Sequence, residues 1–235
     1  MKIQNLIIVT ACLVILSCTG ACVPVGDMQQ ETQSIPLDNV EAASIELNVG
    51  AGEILVQGGT DVLFEGLFSY NVEKWKPELE YEIRDGKATV AVNQKAVKGI
   101  PVGNSRNRWD ISLNETIPLD MVVDFGAGEG KLDLVGLIIR SLKIDMGVGD
   151  LTVDLSGRHD RDFDVDIDGG VGSIKVYIPE DVGVRVYVDK GIGSVNIREL
   201  KKQGDVYTNE AYQASDVTID IKIDAGIGSI DLRLK

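Results

Sequence analysis

One phrase recurs along this chain and restricts its fold more than any other feature. An acidic residue is followed by any residue, a glycine, any residue and a second glycine, and then by a run in which apolar and polar residues alternate. It stands at Asp124-Phe125-Gly126-Ala127-Gly128, Asp145-Met146-Gly147-Val148-Gly149, Asp168-Gly169-Gly170-Val171-Gly172, Asp189-Lys190-Gly191-Ile192-Gly193 and Asp224-Ala225-Gly226-Ile227-Gly228. A further copy, Asn48-Val49-Gly50-Ala51-Gly52, replaces the acid by its amide. From Gly126 onward the first glycines are spaced by 21, 23, 21 and 35 residues, after a gap of 76 from Gly50. A period near 20 residues is that of a β-solenoid coil, which buries its apolar face only against a neighbouring coil. The residues after each glycine pair alternate, as in Ile174 and Val176, Val195 and Ile197, or Ile230, Leu232 and Leu234. The approach runs alternate as well, with Phe163, Val165 and Ile167 set against Asp162, Asp164 and Asp166. A period of two denotes strands with one buried face. The glycines then mark corners that need φ > 0 or leave no room for a side chain.

A phosphate-binding role for Gly-x-Gly would require the pair to lead into a helix N-terminus. Here each pair leads into an alternating strand. Gly169-Gly170-Val171-Gly172 resembles calcium-binding solenoid repeats, but Ile174 occupies the position where those repeats need an aspartate.

The chain begins with Met1-Lys2 and a largely apolar run from Leu6 to Leu16. That run is too short to span a bilayer but suits a signal peptide over residues 1–17. Ile15-Leu16-Ser17-Cys18 resembles a bacterial lipobox, which makes Cys18 the expected lipidated residue and Cys22 the alternative. The third cysteine, Cys12, would leave with the signal peptide. No cysteine follows Cys22, so the folded part has neither disulfide nor thiol nucleophile. Residues 18–35 are polar and read as a flexible tether.

From residue 36 to 112, shorter alternating runs are joined by turns, including a hairpin at Asp85-Gly86. Lys95 to Arg108 is the longest stretch without clear periodicity. Its Lys98, Arg106 and Arg108, with the adjoining Trp109, form the main basic cluster of an acidic chain and the expected partner contact. Residues 113–235 carry the repeats, with Lys201 to Ser215 a polar insert that accounts for the longest late spacing. The final repeat reads as the last coil, whose open end needs polar side chains or a partner to cover it.

The net charge is −14, and removing residues 1–17 takes away one lysine and no acid. Such a surface opposes binding to nucleic acid and adsorption to anionic lipid, so membrane attachment would fall to the anchor. The single histidine, His159, lies in a turn and has no metal-ligand or triad partners in the pattern. No cofactor is implied. The ladder of Asp162, Asp164, Asp166 and Asp168 is expected on a solvated strand face, with Asp220 and Asp224 beside it. Asp164 and Asp166 are weak candidates for Ca²⁺, and no other metal site is indicated.

Leu37-Asp38-Asn39-Val40-Glu41-Ala42, Leu47 to Glu53, Leu63 to Phe68, Lys76 to Tyr81, Trp109 to Asn114, Ile117 to Asp120 and Phe125 to Glu129 resemble the N-terminal toast-rack domain. The later glycine repeats resemble the C-terminal region of LiaF-like cell-wall-active antibiotic response proteins and related adhesin-like domains of unknown function. The resemblance implies an all-β stack of parallel strands outside the cell and supplies no catalytic residues. LiaF-like proteins are membrane proteins that restrain an envelope-stress sensor kinase, whereas this chain shows a lipobox in place of their membrane helices. The expectation is therefore an all-β, single-stranded parallel β-solenoid with an N-terminal β-hairpin. It is lipid-anchored outside the cytoplasm, non-enzymatic, and binds an envelope protein or a polysaccharide. A polysaccharide-active enzyme on the same scaffold, or a surface spacer, are the alternatives.

Overall fold

A computed structural model describes residues 22–96 and 99–235. The strands in chain order are β1 (Cys22–Pro24), β2 (Gln29–Ile35), β3 (Ala42–Thr60), β4 (Phe64–Tyr70), β5 (Pro77–Arg84), β6 (Lys87–Gln94), β7 (Ile100–Val102) and β8 (Asn107–Asn114). They continue with β9 (Pro118–Asp133), β10 (Ile138–Asp154), β11 (Phe163–Ile178), β12 (Gly183–Ile197), β13 (Lys201–Gln203), β14 (Val206–Thr208) and β15 (Thr218–Leu234). Among the described residues there is no α-helix, only a 3-10 turn at Glu73–Trp75. The fold is all-β, as the repeat predicts.

Six long strands, each carrying one glycine pair, stack in parallel in the order β12, β15, β11, β10, β9, β3. Each runs without interruption through its corner. In β10 the inward residues are Leu142, Ile144 and Met146 before the corner and Leu151 and Val153 after it. Leu151 lies five positions after Met146, an odd offset, so the alternation changes phase at the corner. That change keeps both arms of the bent strand facing one core.

The stack forks beyond β3. Its first arm pairs in parallel with β6, which forms an antiparallel hairpin with β5, and its second arm pairs in parallel with β8, followed by β4 and β2. Asp85 and Gly86 both have positive φ (48° and 75°), the signature of the tight hairpin read from sequence. Phe64, Phe68 and Trp109 fill the space under the second arm, with Phe68 and Trp109 edge to face at 5.3 Å.

Two expectations are corrected. The polar stretch assigned to the tether, residues 18–35, contains β2, which pairs antiparallel with β4 and buries Ile35 completely. Its alternating polar residues give no apolar signal because the strand lies at the edge of the sheet, and pairing with β4 supplies the backbone hydrogen bonds. The final repeat is also not the last coil: β15 inserts between β11 and β12. The insert after β12 forms β13 and β14, and β14 pairs antiparallel with residues Arg185 to Tyr187, so it covers the first arm of the terminal strand. No break in the sheet marks residues 112–113, because β3 and β9 pair along both arms.

Candidate functional site

The glycine corners stack into two columns. The first runs Gly50, Gly126, Gly147, Gly170, Gly226, Gly191, and the second Gly52, Gly128, Gly149, Gly172, Gly228, Gly193. From Gly126 and Gly128 onward, a Cβ on any of them would press within 2.6 Å of the carbonyl oxygen of the glycine below. The second column has φ between 136° and 149° from Gly128 onward, a region that only glycine adopts readily. The sequence offers either special backbone or crowding as the reason for these glycines. From Gly126 onward the first column needs glycine for space alone, and the second column needs it for both reasons.

At the fork, the bottom corner is finished by side chains. Gln94 Oε1 accepts from the backbone N–H of Gly50 at 2.9 Å, and Asn107 Nδ2 donates to the Ala51 carbonyl at 2.8 Å and to Gln94 Oε1 at 2.9 Å. At the opposite end, Lys190 Nζ donates to the Gly193 carbonyl at 2.7 Å. Lys190 stands where lower coils place Val49, Phe125 and Met146, so a charge closes the last corner.

Because each coil repeats the same residue types, the columns present a patterned outer surface. One column holds Asn48, Asp124, Asp145, Asp168, Asp224 and Asp189. From Asp124 onward, together with the first glycine column from Gly126, it lines an open groove of about 880 Å³. Lys143 bridges Asp145 at 3.2 Å and Lys222 bridges Asp224 at 2.5 Å, whereas Asp124, Asp168 and Asp189 have no cationic partner among the described residues. These Asp partners are also what raise the affinity of Lys143 and Lys222 for their protons. Between the two glycine columns runs the residue that each pair encloses: Ala51, Ala127, Val148, Val171, Ile227, Ile192. This row is apolar throughout, and its last four members are exposed by 54%, 44%, 51% and 74%. Exposure at that level on successive strands makes the row a continuous ridge rather than scattered surface residues. Sequence reasoning attended to the glycines and passed over it, although the enclosed residue is never polar in any copy.

On the far side of the ridge, Glu53, Glu129 and Asp150 are followed by Ser173, Ser229 and Ser194. The acidic part borders a second groove of about 790 Å³ that also contains Arg106 and Arg108. Arg106 is exposed. Arg108 is exposed too but engaged, by Asp110 at 2.7 Å and Glu53 at 3.4 Å, and both carboxylates hold its guanidinium charged. Trp109 is fully buried and donates to Asn107 Oδ1, so it belongs to the core and leaves the contact set. Strand alternation explains this, since Arg108 and Trp109 point to opposite faces of β8. Lys98 and Cys18 lie outside the described residues, and Cys22 opens β1, which pairs with β7.

Asp164 and Asp166 are exposed on β11. Asp164 stands beside Asp220, which binds Arg185 at 2.5 Å, and Asp166 stands between Lys143 and Lys222. Opposite charges thus interleave the expected acidic face. Among the described residues, no group of three or more His, Cys, Asp or Glu side chains converges as metal ligands would. His159 packs on Phe163 and its Nε2 lies 2.9 Å from the Leu155 carbonyl, so it braces its own turn.

Residues 24–177 match the family described as the N-terminal domain of toast_rack, DUF2154. Residues 127–232 match that described as cell wall-active antibiotics response LiaF, C-terminal. No curated protein matches the chain. Among solved structures, a "putative cell adhesion protein" from Clostridium sporogenes superposes with a TM-score of 0.84 at 34% identity, over 89% of this chain and 100% of that one. A "putative adhesin" from Bacteroides fragilis reaches a TM-score of 0.32 at 12% identity, over 88% and 99% of the two chains. Another from Parabacteroides distasonis reaches 0.26 at 12%, over 91% and 100%. Those last two likenesses are too low to bear on fold or function.

Proposed function

The chain belongs to the toast-rack family, and from that premise we propose that it is a non-catalytic binding module of the cell envelope. The LiaF-like match and the adhesion protein of similar fold support a surface or envelope-stress role. Among the described residues no helix is long and apolar enough to cross a membrane. In this reading, lipid on Cys18 holds the domain at the membrane surface, with Cys22 the alternative acceptor.

The observation that carries the reading is the patterned corner strip. Chemically similar groups repeat along the aspartate column and the ridge on successive coils about 4.8 Å apart, and the ridge stays apolar where solvent alone would favour polar residues. An array of equivalent positions suits the grip of an extended partner, whereas catalysis needs one position to differ from its neighbours. Arg106 and Arg108 add a cationic rim where the second groove meets β8.

The test is retention of the full-length protein on envelopes isolated from its own cells. The expected result is saturable retention, weakened by Arg106→Glu, with the Arg108→Glu variant less informative because its partners Asp110 and Glu53 would be freed. Retention that never saturates would overturn the binding role. Loss of membrane association in Cys18→Ala, but not in Cys22→Ala, would identify the anchor.

A further inference from the structure

The geometry points to a specific occupant of the corner strip: a cationic amphipathic peptide helix, lying across the strands with its apolar face on the ridge and its basic residues over the aspartate column. This rests on the binding role proposed above and names the class of partner.

The apolar half of the match is the row Val148, Val171, Ile227 and Ile192, which grows in side-chain size toward β12 and has no polar interruption. The charged half is the parallel row from Asp124 to Asp189, separated from the ridge only by the first glycine column. Because those glycines carry no side chain, nothing stands between ridge and carboxylates, and a helix has room to settle against both. From Asp124 to Asp189 there are four strand steps, about 19 Å, which is the length of a helix of about 13 residues. Partnered and unpartnered carboxylates alternate along this row, so the free ones recur about every 9.6 Å. Two turns of helix rise about 10.8 Å, so basic residues seven apart on a helix fall near successive free carboxylates. The recognition mode is that of a helix seated by its apolar stripe, with charge fixing the orientation.

Charge also decides against the other occupants. A second copy of this chain would oppose one aspartate column to another, and an anionic membrane or nucleic acid would meet the same carboxylates.

The experiment titrates the full chain against a fluorescein-labelled peptide of about 18 residues, built from Leu and Lys so that an α-helix has one apolar and one basic face. The expected result is binding in the micromolar range that falls as salt rises. It should weaken about tenfold or more in the double variant Val171→Asn/Ile227→Asn, and by a similar factor in Asp168→Asn/Asp189→Asn. All four positions are on the outer face, and unchanged thermal unfolding of each variant would show that the fold is retained. A peptide of the same composition in scrambled order separates helix recognition from general attraction to an acidic protein, and equal binding by it would overturn the inference. So would binding that ignores the ridge variants, or concentration-dependent self-association abolished by those variants, which would make the ridge a contact between copies. If the peptide fails to bind while saturable retention on envelopes persists, the occupant is wrong and the binding role stands. If both fail, both fall.

Discussion

At the scale of single residues, the two glycine columns make different demands. Gly149 combines φ of 144° with a Cβ position pressed onto the Gly128 carbonyl. Gly149→Ala is expected to lose about 3 kcal/mol or more, since backbone strain and forced displacement of the coil below add together. Gly50 is the contrasting case. It has no positive φ, and a Cβ there would meet only the Gln94 side chain at 3.6 Å. Gly50→Ala should fall within about 0.5 kcal/mol of the parent. Urea unfolding of the two variants would separate a glycine required by stacking from one kept at the end of the stack. The polar pair that closes this end gives another prediction. Asn107 is buried and donates to both Ala51 and Gln94. Asn107→Ala removes the donor to the Ala51 carbonyl and the acceptor of the buried Trp109 N–H, while Gln94 Oε1 keeps the Gly50 N–H, and should cost about 1–3 kcal/mol in the same assay.

At the scale of elements, the segment between β12 and β15 carries most of what the repeat pattern does not show. It leads the chain back so that β15 lies beneath β12, and it seals the first arm of β12. Asn209 holds it in place: Nδ2 donates to the Val182 carbonyl at 2.7 Å, and Oδ1 accepts from Val184 N–H at 3.0 Å. Asn209→Ala is expected to loosen this element by itself. Amide exchange should accelerate over residues 183–188 and 201–217 while β9 and β10 keep their protection, because each coil touches only its neighbours. Uniform acceleration throughout the chain would show that the insert supports the whole stack.

At the scale of the molecule, stability should depend on pH through carboxylates that tie coils together. Asp154 is buried, which alone would raise its pKa, but the hydrogen bond from Lys235 at 2.6 Å and those from Ser156 outweigh that and lower it. Asp120 behaves alike, with burial overcome by Arg140 and Ser141 of the next coil. A carboxyl with a lowered folded pKa binds fewer protons in the folded state. Its contribution is therefore complete above the unfolded value, about 3.9, and is lost as pH falls through the folded one. Denaturation midpoints should stay level from neutral pH to about 5 and then fall. The double variant Asp120→Asn/Asp154→Asn should start lower and show a shallower acid limb. An unchanged limb would mean that the acid sensitivity resides in other groups.

What was legible in the sequence is what repeats. Period-two alternation makes strands, and glycine pairs at coil spacing make corners, because both follow from local geometry that every copy must satisfy. The hairpin at Asp85-Gly86 was legible for the same reason, since positive φ at two successive residues admits few sequences. The position of β15 was not, because parallel neighbours carry equivalent residues and any order of coils satisfies the alternation equally well. Only packing of the insert against β12 selects among them. The burial of Trp109 follows from which face of β8 meets Phe68, and the edge pairing of β2 from hydrogen bonds to β4, a strand distant in sequence. The ridge lies between these cases. Its residues stand in plain view in every repeat, but that they form one exposed line beside one line of carboxylates is a consequence of register, which exists only once the coils are stacked.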